Sequence, residues 1–181
     1  TFDDLRREFP HLEAQFPGVR FHLTGTSVLA SRNLNQMIAD LAVKHGRKLA
    51  IAGHSMTENV KMARKMDLLR IDDGMLVELG RINHIPPNQI VIVATGSQGE
   101  PSAVLSRLAT GSHKSLDVMA GDTIVISAHT IPGNEEMVSR TINKLFQRGA
   151  NVLYDPISPV HVSGHASQEE MKLLISLLNP K

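Results

Sequence analysis

Two short runs constrain this chain more than any other feature: QIVIVAT (Gln89–Thr95) and DTIVISA (Asp122–Ala128). Each holds four consecutive β-favouring apolar or threonine positions with no polar alternation. A strand of that kind has both faces buried, the mark of a parallel strand enclosed between two helix layers. An apolar run, a loop rich in Gly, Ser, Thr and His, and an amphipathic stretch then recur along the chain. VRFHLTG (Val19–Gly25) leads through TSVLAS into RNLNQMIADLAVKHG, with Ser31 placed as N-cap and Gly46 as the stop. KLAIAG (Lys48–Gly53) leads through the loop HSMTEN into a helix running through Arg64. QIVIVAT leads through GSQGE into PSAVLSRLAT, with Pro101 suited to the first helical position. DTIVISA leads through HTIPGN into EEMVSRTINKLFQRGA, and NVLYD (Asn151–Asp155) leads through VHVSGH into SQEEMKLLISLL.

Strands alternating with helices in this way imply an α/β fold: an open, mostly parallel sheet with helices on both faces. The opening FDDLRREFPHLEAQF reads as a packing helix interrupted near Pro10. The stretch from Asp67 to Pro87 reads as a short helix or hairpin-like excursion. At 181 residues and 41% hydrophobic, one domain over residues 1–181 is the natural expectation. A net charge of +1 carries no footprint of a general nucleic-acid binder, so any such contact is local. The absence of cysteine removes disulfides and thiolate metal sites and favours a cytoplasmic setting, and no apolar run approaches a membrane span.

In a parallel sheet the polar loops that follow the strands converge at the carboxyl edge, where ligands bind. Three of them carry candidate chemistry. In ATGSQGEPSA (Ala94–Ala103) two glycines permit close approach, Ser97 offers a hydroxyl, and a helix start follows. That suits phosphate, and it also suits an ordinary strand-to-helix turn. It is neither a Walker loop nor a full G-x-G-x-x-G. ISAHTIPGNEE (Ile126–Glu136) brings Ser127, His129, Thr130 and Asn134 to another strand end, with Glu135 and Glu136 suited to a first helical turn; a solvated loop with a normal cap is the favoured account of it. VHVSGHASQEE (Val160–Glu170) is the sharpest. Its prolines and Gly164 argue for extended chain before Ala166, so His161, Ser163 and His165 share a face. Ser167 with Glu170 fits a capping box, which places His165 just before a helix N-terminus where anions are favoured. Phosphate binding fits there, and a histidine so placed can protonate a leaving oxygen. No H-x-H-x-D-H or H-E-x-x-H occurs, so a self-contained metal site is not expected. His11, His22, His45, His54, His84 and His113 read as surface or satisfied core positions.

Taken in order, VATGSQGEP, GDTIVIS, IPGNE and VHVSGHASQEEMK resemble the β-CASP domain of ribonuclease J, a Rossmann-like domain, over most of the chain. The resemblance implies the RNA-binding portion of a metal-dependent 5′-to-3′ exoribonuclease and endoribonuclease. In that family a metallo-β-lactamase domain of the same polypeptide holds the zinc, and RNA runs between the two domains. It implies that His165 assists cleavage, that His161 and Ser163 bind phosphate, and that Gly96, Ser97, Gln98, Gly99 and Glu100 face the same cleft. It further implies RNA as partner, a homo-oligomeric parent (dimer or tetramer) and no membrane. No metal ligand or cofactor is expected in this stretch, since the metallo-β-lactamase signature does not occur in it, and the chain reads as an excised domain, inactive alone. His129 stands where the family has a small or polar residue, and GTSVLASR departs from the usual strand end. The alternative is a freestanding α/β module that binds a nucleotide or phosphorylated small molecule at ATGSQGE.

Overall fold

A computed structural model describes residues 20–24, 32–155, 157, 172 and 175–177. Six strands form one sheet: β1 (Phe21–Thr24), β2 (Lys48–Ala52), β3 (Leu76–Val77), β4 (Ile90–Ala94), β5 (Thr123–Ile126) and β6 (Asn151–Tyr154). Their spatial order is β3-β2-β4-β1-β5-β6, and every neighbouring pair is parallel. Four helices lie wholly within the described residues: α1 (Arg32–Lys44), α2 (His54–Lys65), α3 (Val104–Ala109) and α4 (Glu135–Gln147).

Alternate strand residues face opposite layers, as the pleat requires. Ile90, Ile92, Ala94, Ile124, Ile126 and Val152 pack with Val104, Leu105 and Leu108 of α3 and Val138, Ile142 and Leu145 of α4. Leu49, Val91, Val93 and Val125 pack instead with Ile38, Ala39 and Leu41 of α1 and Met56 and Val60 of α2. All five residues of β4 and all four of β5 are buried, which is why those runs show no polar alternation. Removing a side chain here, such as Leu145 at 0% exposure, has a typical cost of about 2–5 kcal/mol. The expected architecture is thus the observed one.

Local details follow from, or amend, the sequence. Gly46 ends α1 with φ 63°: its N–H donates to the Val43 carbonyl and the Arg47 N–H to that of Ala42, the paired closure that a left-handed residue permits. HSMTEN is not a loop. Helix α2 begins at His54 directly after Gly53, and the Thr57 N–H donates to the Gly53 carbonyl. Pro101 is not in a helix either. The Ala103 N–H donates to the Glu100 carbonyl, so Pro101 occupies the second position of a tight turn and α3 starts at Val104. The excursion from Asp67 contains the outer strand β3 and two 3₁₀ turns, Leu79–His84 and Pro87–Gln89, rather than a hairpin. The expected opening helix, the Ser31 cap and the Ser167–Glu170 capping box lie outside the described residues, while residues 172 and 175–177 are helical. No helix among the described residues is long and apolar enough to cross a membrane.

Candidate active-site edge

Because all six strands run in one direction, Gly53, the loop from Thr95, the loop from Ser127 and Asp155 all emerge at the same edge. These segments are tied to one another. Gly53 (φ 125°) lies under Thr95, where an added Cβ would approach Thr95 Cγ2 at 2.8 Å. The Thr95 N–H donates to the Ala52 carbonyl, and the Leu105 N–H donates back to Thr95 O at 3.0 Å.

Gln98 is the central tie. The residue is 5% exposed; Nε2 donates to the His129 carbonyl at 2.9 Å, and Oε1 accepts from the Ile131 N–H at 2.9 Å. Asn134 Nδ2 reaches the same Oε1 at 3.5 Å, and Asn134 makes no side-chain cap on α4. One amide therefore fastens the loop after β4 to the loop after β5. Gln98 was expected to line a ligand cleft; burial and these bonds commit its amide to the protein instead.

The two glycines beside it serve packing as well. A Cβ on Gly96 would meet Ala103 Cβ at 2.7 Å, and one on Gly99 (φ 75°) would meet the Met137 carbonyl carbon at 2.7 Å. Gly99 therefore lets the loop lie directly on the backbone of α4. The Gly99 N–H donates to Gly96 O and the Leu105 N–H to Thr95 O, so neither points at an anion. An anion cradle built from this loop and the first turn of α3 loses those two donors. Ser97 is half-buried and Glu100 exposed, which leaves those two side chains on the accessible side of the loop.

A contact that sequence reasoning missed joins the next strand. His129 Nδ1 donates to Asp155 Oδ2 at 2.7 Å, with side chains 59% and 35% exposed. The signal was present in the topology alone: β5 and β6 are parallel neighbours with Ile126 opposite Tyr154, and His129 and Asp155 follow those ends. His161, Ser163 and His165 lie outside the described residues. Among the described residues, no three His, Cys, Asp or Glu side chains are grouped so as to hold a metal ion. Two grooves of about 450 and 590 Å³ run along β3, at the far side of the sheet from β5 and β6, and no expected site residue lines either.

A six-stranded parallel sheet with helices on both faces, and polar loops fastened together at its carboxyl edge, defines a Rossmann-like α/β domain, and that edge is where such folds offer a ligand site. The description "Ribonuclease J, beta-CASP domain" matches residues 27–145. Ribonuclease J of Synechocystis is 41% identical over 172 residues, 95% of this chain and 27% of that protein. Ribonuclease J of Thermus thermophilus is 40% identical over 178 residues, 98% of this chain and 30% of its own length. Ribonuclease J2 of Bacillus subtilis is 41% identical over 157 residues, 86% of this chain and 28% of that protein. The chain belongs to the ribonuclease J β-CASP domain family, and it spans under a third of the length of these relatives.

Proposed function

We propose that this domain supplies the RNA-binding and catalytic-assist side of the cleft in a ribonuclease J. The whole protein is then a metal-dependent nuclease that degrades RNA from the 5′ end and also cuts internally. Its zinc belongs to a metallo-β-lactamase domain of the same polypeptide, outside the described residues. The same reading makes that protein a cytoplasmic homo-oligomer.

The observation that supports this reading is the fastening of the strand-end loops. Gln98 joins the loops after β4 and β5, and His129 joins the loop after β5 to Asp155 at the end of β6. A rigid polar edge of this kind holds contacting groups in place before RNA arrives, which lowers the ordering cost of binding. The segment carrying His161, Ser163 and His165 follows directly from β6 in sequence. In this reading His161 and Ser163 hold a phosphate, and His165 donates a proton to the departing oxygen of the cleaved phosphodiester. Ser97 and Glu100 line the cleft, Gly96 and Gly99 shape its floor, and Gln98 positions rather than binds.

A positioned general acid contributes about 10²–10⁴-fold. In the natural-length protein His165→Ala is therefore expected to lower kcat at least about 100-fold, with the Kd for 5′-monophosphorylated RNA changed by less than about threefold. Near-wild-type turnover would remove His165 from the chemistry. His161→Ala and Ser163→Ala are expected to act mainly on KM, and the 181-residue chain alone is expected to show no zinc-dependent cleavage above background.

A further inference from the structure

One pair at the carboxyl edge is not explained by the Gln98 tie. His129 is held at both ends: its ring through Nδ1 to Asp155 at 2.7 Å, and its carbonyl through Gln98 Nε2 at 2.9 Å. Its side chain nonetheless remains 59% exposed. A hydrogen-bonded pair this open contributes little to folding, typically below about 1 kcal/mol. A ring that is fixed and more than half exposed has another use. Its solvent-facing part can meet a partner with part of its rotamer freedom already removed.

The composition of the edge indicates the partner's chemistry. Single-stranded RNA is gripped by stacking its bases on Phe, Tyr, Trp or His rings. Residues 95–103 and 127–134 contain no Phe, Tyr or Trp, and neither does the stretch 155–170. Tyr154, the nearest in sequence, is partly buried against the core. A base arriving at this edge therefore meets imidazole. We propose that His129, oriented by Asp155, is a base-stacking residue for single-stranded RNA, with Asp155 as its positioning residue. This rests on the reading of the edge as the RNA face and adds a contact that selects for an unpaired nucleobase.

The test uses the natural-length protein and 5′-monophosphorylated oligoribonucleotides, including a series with one abasic nucleotide moved along the strand. His129→Ala is expected to weaken binding at least about fivefold, the low end for loss of one stacked base. His129→Phe, which keeps a ring, is expected to retain most of the affinity, and Asp155→Ala to fall between them. The alanine penalty should vanish on the one RNA whose abasic position coincides with the stacked base. Equal affinities for His129→Ala and His129→Phe, or an alanine penalty that is the same for every abasic RNA, would overturn the stacking role. Backbone hydrogen bonding by Gln98 does not need the imidazole, so all variants should keep the wild-type melting temperature within a few degrees. A melting temperature far below that in both His129 variants would instead assign the residue to folding. If wild-type protein binds RNA and His129→Ala binds as well, only the stacking proposal falls. If wild-type protein binds no RNA, the reading of the edge falls first.

Discussion

The side-chain amide of Gln98 brackets Thr130, donating to the carbonyl of His129 and accepting from the N–H of Ile131, each at 2.9 Å. A neighbouring strand would pair with that segment through the same two groups. Here a side chain takes the strand's place, just beyond the point where β4 and β5, separated by β1, end. The loop after β5 is thus held in an extended form past the end of the regular sheet.

Gln98→Leu keeps much of the volume and removes both bonds. The His129 carbonyl and Ile131 N–H then lose their partner; both bonds are only part-buried, so the cost is that of two ordinary hydrogen bonds, about 0.5–1.5 kcal/mol each. Chemical denaturation should show a lower midpoint with an unchanged slope. In the natural-length protein KM for RNA should rise more than the loss of stability alone explains. An unchanged midpoint would mean that solvent satisfies both groups and that the tie is not structural.

Gly99 and Gly133 separate two reasons for glycine. Both have positive φ, 75° and 97°, but only Gly99 has backbone of α4 within 2.9 Å of where a Cβ would stand. Gly133→Ala carries conformational strain alone, about 1–2 kcal/mol. Gly99→Ala adds a steric conflict, with overpacking costs of about 1–3 kcal/mol on top. Thermal unfolding should therefore rank Gly99→Ala clearly below Gly133→Ala. Equal losses would show that the loop can lift off α4 freely.

Much of this fold was legible in sequence, for identifiable reasons. The both-face apolarity of IVIVA and TIVI arises from burial between two helix layers, and the pattern is visible without coordinates. Strand order was not legible, because a parallel crossover can step either way along a sheet. β3 escaped because Leu76 and Val77 are too few to show a period. HSMTEN was read as loop from its polarity, yet α2 is a surface helix that buries only Met56 and Val60. Pro101 suits a helix start and the second position of a turn equally well, and local sequence does not choose between them. The candidate site was legible only as a set of polar loops at one edge. The Gln98 tie spans more than thirty residues in sequence and the His129–Asp155 bond joins two strand ends, so both needed the register.

His113 provides a pH test away from the carboxyl edge. Its Nδ1 accepts from the Ser115 and Leu116 N–H groups at 3.3 and 3.1 Å. Burial first, and the nearby Arg107 charge second, hold its pKa below the ordinary histidine value of 6.5. The unfolded chain therefore binds this proton more readily than the folded one. The contribution of this residue is fully present above the unfolded value and is lost as pH falls from there toward the folded value. His113→Asn keeps an acceptor for both N–H groups but does not titrate. Its stability should fall less than wild type between about pH 7 and pH 5. Parallel pH curves for the two proteins would contradict the shift.

The central claim is that RNA lies across the carboxyl edge of this sheet. Photocrosslinking 4-thiouridine-substituted, 5′-monophosphorylated RNA to the natural-length protein, followed by peptide mapping, tests it most directly. Crosslinks are expected within residues 95–100, 127–134 and 155–165, and should be lost with excess unlabelled RNA. Competable crosslinks confined to the grooves beside β3, or to the opposite edge of the sheet around Arg20 and Asp122, would contradict it.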